Sequence, residues 1–143
     1  MNVIILPISI NYWAVLAAAV ANMVLGFLWY GPLFGAQWMK LTNIDKSKID
    51  DAKKKGMSKI YALAFLTSIV MSFILEYFIL GYAQAGTILE GIVLAFLLWI
   101  GFFATTQLGS VLWEGKSAKL YFLNTLYYLA SLCIMSIILT LWV

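Results

Sequence analysis

Leu25-Gly26-Phe27-Leu28-Trp29-Tyr30-Gly31-Pro32-Leu33-Phe34-Gly35-Ala36-Gln37-Trp38 is where a long apolar helix has to stop. Pro32 offers no amide donor and disfavours the helical conformation at Gly31 before it. Trp29, Tyr30 and Trp38 surround the break, and indole and phenol rings settle at the headgroup level of a bilayer rather than at its centre or in bulk water. The stretch therefore reads as a membrane helix arriving at its interface, with Gly31, Pro32 and Gly35 shaping the turn. A similar ending recurs at Leu108-Gly109-Ser110-Val111-Leu112-Trp113-Glu114-Gly115.

Outward from that stretch, the 143 residues are 64% hydrophobic and 10% charged, against about 45–50% and about 25% in soluble domains. A chain this short can hide so much apolar surface only in lipid. Residues 7–30, 58–80, 88–113 and 118–142 each reach the about 20 residues that cross a hydrocarbon core of some 30 Å. The expected fold class is all-α: a four-helix transmembrane bundle, one integral membrane domain over residues 1–143, with a helical insertion in the loop 31–57. In that loop Leu33, Phe34, Trp38 and Leu41 share one face of a short interfacial helix. Ser47-Lys48-Ile49-Asp50 resembles a capping box that opens a second, aqueous helix ending before Gly56. The first span has no Lys or Arg ahead of it and carries Trp13 near its start, so it is expected to be retained rather than cleaved as a signal peptide. Pro7 suits its first turn.

The chain has no His, no Arg and a single Cys, Cys133. Intrachain disulfides, histidine–metal clusters, His-ligated haem and Cys–His nucleophiles are excluded by counting. No catalytic residue, metal ligand or cofactor is expected. Seven of the nine lysines lie between residues 40 and 59, and Lys116 and Lys119 lie in the turn before the fourth span. By the positive-inside rule both lysine-bearing turns are cytoplasmic and both termini face outward. That explains the basic balance without nucleic acid, which is not an expected partner because no aromatic-interleaved basic groove accompanies the lysines. The partner that composition demands is the lipid bilayer, with a second copy of the chain and an unidentified small molecule left open.

Within the spans, small and polar residues recur four apart, at Ala14, Ala18, Asn22 and Gly26, and at Ala64, Ser68, Ser72 and Glu76. Such stripes face protein and let helix backbones approach in lipid. Glu76 lies about 27 Å along its helix from Ser58, near the far interface, where a carboxylate is either hydrated or part of an ion path. Helix 4 carries Asn124, Tyr128 and Ser131 on one face. Measured from the lysine-bearing ends, Gln107 and Asn124 lie about 7 Å deep, and Asn22, Thr105 and Tyr128 about 12 Å deep. Five polar groups at matching depths point to one inward-open polar pocket, rimmed by Trp29, Tyr30, Trp113 and Glu114. Glu114 stands at a helix C-terminus, where the macrodipole disfavours its charge. Either Lys116 or Lys119 compensates it, or Tyr30 donates its hydroxyl to it across the pocket mouth.

The endings of helices 1 and 3 match, as do Ser58-Lys59-Ile60-Tyr61 with Ala118-Lys119-Leu120-Tyr121 and Met71-Ser72 with Met135-Ser136. Two parallel two-helix repeats are the hypothesis that follows. Asn11-Tyr12-Trp13-Ala14-Val15-Leu16, the Trp-Tyr-Gly-Pro-Leu-Phe-Gly run with Trp38, and Leu112-Trp113-Glu114-Gly115-Lys116 followed by Asn124 and Trp142 resemble the prokaryotic four-helix membrane family known as domain of unknown function 1761. The resemblance covers nearly the whole chain. It implies an integral protein of a prokaryotic cytoplasmic membrane and supplies no activity. Members of that family often carry His where Tyr128 stands, so a function that needs an imidazole there is not expected of this chain. Two functions stand side by side: small-molecule or ion binding or transport through the inward pocket, and a non-catalytic scaffold or accessory subunit whose polar residues only pack helices.

Overall fold

In the computed structural model, residues 8–142 are described, Tyr82 and Ala83 by their backbone alone. All regular structure among them is helical. Four stretches are long and apolar enough to span a bilayer, Tyr12–Leu33, Ser58–Gly81, Ile88–Leu112 and Ala118–Leu141, and the chain is a multi-pass membrane protein. Their lipid-facing surface carries exposed Leu16, Val20, Val24, Leu66, Val70, Val93 and Leu97, the arrangement that lipid as solvent requires.

The first span is α1 (Tyr12–Leu28), running on into a wide π-type turn (Trp29–Leu33). The expected start at Pro7 lies outside the described residues; the helix opens at Tyr12 because the Asn11 side chain caps the amides of Trp13 and Ala14 at 3.1 and 3.2 Å. Gly31 breaks the helical geometry at φ −113°, ψ −105°, and the chain kinks there. Phe34 N–H reaches back to Trp29 O at 2.8 Å and bridges the kink. Gly35 then comes so close that an added Cβ would sit 2.7 Å from Tyr30 O.

The insertion holds α2 (Gly35–Thr42) and α3 (Lys46–Lys55). The sequence reading placed the start of α3 at Ser47; it is Asp45 that stands at the N-cap, without a side-chain cap bond. The second span is α4 (Ser58–Tyr77), the third is α5 (Ile88–Leu98) with the short α6 (Ala104–Gln107) and α7 (Gly109–Leu112), and the fourth is α8 (Ala118–Leu141). A wide turn Trp99–Phe103 separates α5 from α6. α1 packs between α4 and α8, and α8 between α1 and α5.

Both four-apart stripes face protein. Ala14, Ala18 and Asn22 are buried, and an added Cβ on Gly26 would lie 3.1 Å from the Tyr127 hydroxyl. Ser68, Ser72 and Glu76 are buried on α4. Glu76 departs from the hydrated interfacial carboxylate of the sequence reading: it is 1% exposed, and its Oε1 accepts the Asn11 N–H at 3.1 Å. The α1 N-terminus, with its free amides and positive dipole end, draws the carboxylate in.

The two hairpins α1–α4 and α5–α8 bring residues at matching positions together at the lysine-free end. Ser72 donates to Val15 O at 2.9 Å on α1. Its sequence counterpart Ser136 faces Gly91 on α5, where an added Cβ would lie 3.4 Å from Ser136 O and 2.6 Å from Thr140 Oγ1. Val15 and Gly91 are each the fourth residue after their N-caps, Asn11 and Thr87.

Candidate functional site

The third span reaches the lysine-bearing end of the bundle in broken steps. At the wide turn the Thr106 hydroxyl donates back to the carbonyls of Phe102 and Phe103. Across the next break Ser110 Oγ donates to Gln107 O at 2.8 Å. Gly115, at φ 68°, lets the chain reverse so that Lys116 N–H reaches Ser110 O at 3.0 Å. Ser117 then caps α8 through Lys119 N–H at 3.1 Å. Between this bent end and the first turns of α8 lies a cavity of about 440 Å³, open at the surface. Its wall presents Thr106, Gln107, Ser110, Glu114, Lys116 and Asn124, with Trp113 at the rim and Leu120 below.

The structure thus brings Gln107, Trp113, Glu114 and Asn124 together. Tyr30 joins from the turn after α1: its hydroxyl donates to Asn124 Oδ1 at 2.8 Å, and its ring packs edge-on against Tyr127 at 5.2 Å and Trp38 at 6.0 Å. The alternative in which Tyr30 reaches Glu114 is not what forms. Glu114 pairs with Lys116 at 3.1 Å. Both side chains are more than half exposed, so the pair is solvent-screened and contributes little to stability. Trp29 lies off the cavity, its indole donating to Leu123 O of α8 at 3.1 Å.

Three more of the expected residues stand elsewhere. Thr105 is exposed and bonds back to Gly101 O at 2.8 Å; Thr106 occupies the wall in its place. The wide turn before α6 is the cause, because it shifts the phase of all later residues relative to a uniform 3.6-residue helix. Tyr128 stacks on Phe103 at 5.1 Å and Tyr127 at 5.2 Å. Asn22 belongs to a separate knot in the middle of the bundle. Its Nδ2 donates to Ser68 Oγ of α4 at 2.8 Å. Its Oδ1 accepts from the hydroxyls of Tyr127, at 3.3 Å, and Ser131 of α8. One amide ties three helices, with Asn22, Ser68 and Ser131 all buried.

Sequence reasoning missed Tyr127, which lies four residues before Ser131 and so on its face; the neighbouring Tyr128 was chosen instead. It also missed Trp99, whose indole donates to Thr125 O at 2.7 Å, the counterpart on α5 of the Trp29 contact from α1. Each of these tryptophans opens a wide turn, a feature that no residue pattern announces.

With no imidazole in the chain and its one thiol elsewhere, the cavity offers amides, hydroxyls, a carboxylate and an ammonium. The side-chain amide of Gln107 makes no hydrogen bond among the described residues, and the amide NH₂ of Asn124 is likewise open. That set can hold a polar molecule by hydrogen bonds. A family model described as "Protein of unknown function (DUF1761)" matches residues 13–140. No curated protein and no solved structure matches the chain.

Proposed function

The chain belongs to the DUF1761 family, which brings no activity with it, and from the site itself we propose a membrane protein that binds a small polar molecule at its lysine-bearing face. The observation that carries this reading is the roughly 440 Å³ cavity whose Gln107 and Asn124 amides keep unspent hydrogen-bonding groups beside the Glu114–Lys116 pair. The volume lies in the range of small-molecule sites, about 300–1,000 Å³. By the lysine distribution this face is cytoplasmic and both termini are outside, and the family resemblance supports a prokaryotic cytoplasmic membrane. Binding is favoured over passage across the membrane because the Asn22 knot spends its groups on protein partners in the mid-bundle.

The test uses Cys133→Ser protein carrying either Ser110→Cys or Asn22→Cys and a water-soluble maleimide. Position 110 is expected to react and position 22 to stay unlabelled. A small-molecule extract of the expressing cells that slows labelling at 110 then reports the occupant. An unreactive 110 overturns the pocket, and equal labelling at both positions restores the transport reading. The same knot supports the second reading, a scaffold whose intramembrane polar groups only pack helices; that reading expects no extract to protect position 110.

A further inference from the structure

A second cavity at the lysine-bearing end belongs to neither the polar pocket nor the Asn22 knot. It has a volume of about 600 Å³ and opens between the last turn of α1, the first turn of α4 and the insertion. Its walls are aromatic: Phe27 and Tyr61 meet edge-on at 5.4 Å, and Tyr30 and Trp38 at 6.0 Å. These rings sit where two spanning helices leave the bilayer, the headgroup level. Across the opening lies α3, with half-buried Ile49 turned into the cavity and Lys48 and Lys53 lining it. α3 has no extensive packing against any spanning helix; what it faces is this space.

The charge on α3 is unspent. The helix carries five lysines against two aspartates, and among the described residues no carboxylate lies within 4.0 Å of Lys48 or Lys53. A cavity with an apolar aromatic floor at acyl–headgroup depth and two free ammonium groups at its mouth is complementary to an anionic amphiphile. We propose that this cavity seats one anionic phospholipid of the bilayer, its phosphate on Lys48 and Lys53 and the top of an acyl chain against Phe27, Tyr61 and Ile49. A soluble acidic partner fits less well, because its side chains would have to enter between spanning helices at the level of the lipid itself. Attraction of an anionic surface to lysines contributes about 1 kcal/mol for each lysine near it. Two lysines on one phosphate therefore amount to about 30-fold in affinity. The proposal stands apart from the ligand reading of the polar pocket, although Tyr30 borders both sites.

Purified protein in dodecylmaltoside is titrated with phosphatidylglycerol, phosphatidylcholine or soluble glycerol phosphate, and binding is read by the rise in thermal midpoint and by native mass spectrometry. Phosphatidylglycerol is expected to bind, to raise the midpoint and to do so less as salt increases, while the other two leave it unmoved. Lys48→Gln/Lys53→Gln is expected to weaken phosphatidylglycerol about 30-fold. Lys54→Gln/Lys55→Gln, which removes equal charge from the same helix outside the cavity, is expected to weaken it less than about threefold. Ile49→Asp, which puts a carboxylate into the cavity beside the phosphate position and keeps every lysine, is expected to abolish the shift even if the double variants prove hard to purify. Equal losses in the two double variants would show a diffuse field rather than a site and would overturn the proposal. So would equal binding of phosphatidylcholine, or a full effect of glycerol phosphate.

Discussion

The two hairpins solve the same problem at the lysine-free end by different means. Each must seal the amides of a helix start and bury a four-apart stripe against its neighbour. In α1–α4 the seal comes from across the hairpin: Asn11 caps its own helix, and Glu76 of α4 takes the Asn11 N–H at 3.1 Å. The stripe below it is bonded, through Ser72 to Val15 O and Asn22 to Ser68. In α5–α8 the seal is local. Thr87 Oγ1 accepts from Glu90 N–H at 3.2 Å, while Glu90 Oε2 accepts from the amides of Gly86 and Thr87 at 2.8 and 3.0 Å, a capping box within four residues. The stripe there is packed: Gly91 lets the backbones close, and the hydroxyls of Ser136 and Thr140, counterparts of Ser72 and Glu76, have no hydrogen-bond partner among the described residues. One hairpin is held by directional bonds that need both helices in place, the other by shape.

Four substitutions would break or sharpen that contrast, each read as a shift in the midpoint of dodecyl sulfate unfolding from dodecylmaltoside micelles. The largest loss is expected for Gly91→Val, about 3 kcal/mol, because its side chain meets Thr140 Oγ1 and the Ser136 carbonyl and must part the helices. A midpoint near that of the wild type would mean that α5 and α8 are not closely packed there. Next comes Glu76→Ala, about 2 kcal/mol for stranding the Asn11 N–H, whereas Glu76→Gln keeps an acceptor and is expected to lose far less. If the two Glu76 variants fall equally, the charge at the α1 dipole matters and the hydrogen bond does not. Thr87→Ala is expected to cost about 1 kcal/mol, the ordinary loss of an N-cap, and to leave the α1–α4 half untouched as judged by proteolysis of the insertion. The smallest effects separate the stripes themselves. Ser72→Ala should lose about 0.6 kcal/mol, an average intramembrane hydrogen bond, while Ser136→Ala should lose nothing or gain slightly because its hydroxyl is buried without a partner. Equal losses at the two serines would erase the distinction between a bonded and a packed hairpin.

The number of apolar spans and the protein-facing stripes were legible in the chain. Hydrocarbon demands about 20 apolar residues per crossing and penalises unpaired polar groups, so composition and four-residue spacing carry that information directly. Local logic alone was less sure for caps: the capping box expected at Ser47–Asp50 did not form, and the one that did, at Thr87–Glu90, was not read from the sequence. Only the tertiary structure decided which polar groups meet. The widened turn Trp99–Phe103 changes helical phase without a residue pattern that marks it, which put Thr106 rather than Thr105 on the cavity wall. Asn22 went to Ser68, Tyr127 and Ser131 because those hydroxyls lie on the helices that pack against its stripe, whereas depth along a helix axis says nothing of azimuth. Glu76 was drawn from the expected hydrated surface into the core by a helix start 65 residues away in sequence. The partner of a buried polar atom is set by which helices close around it, and that is a property of the assembled bundle rather than of any one segment.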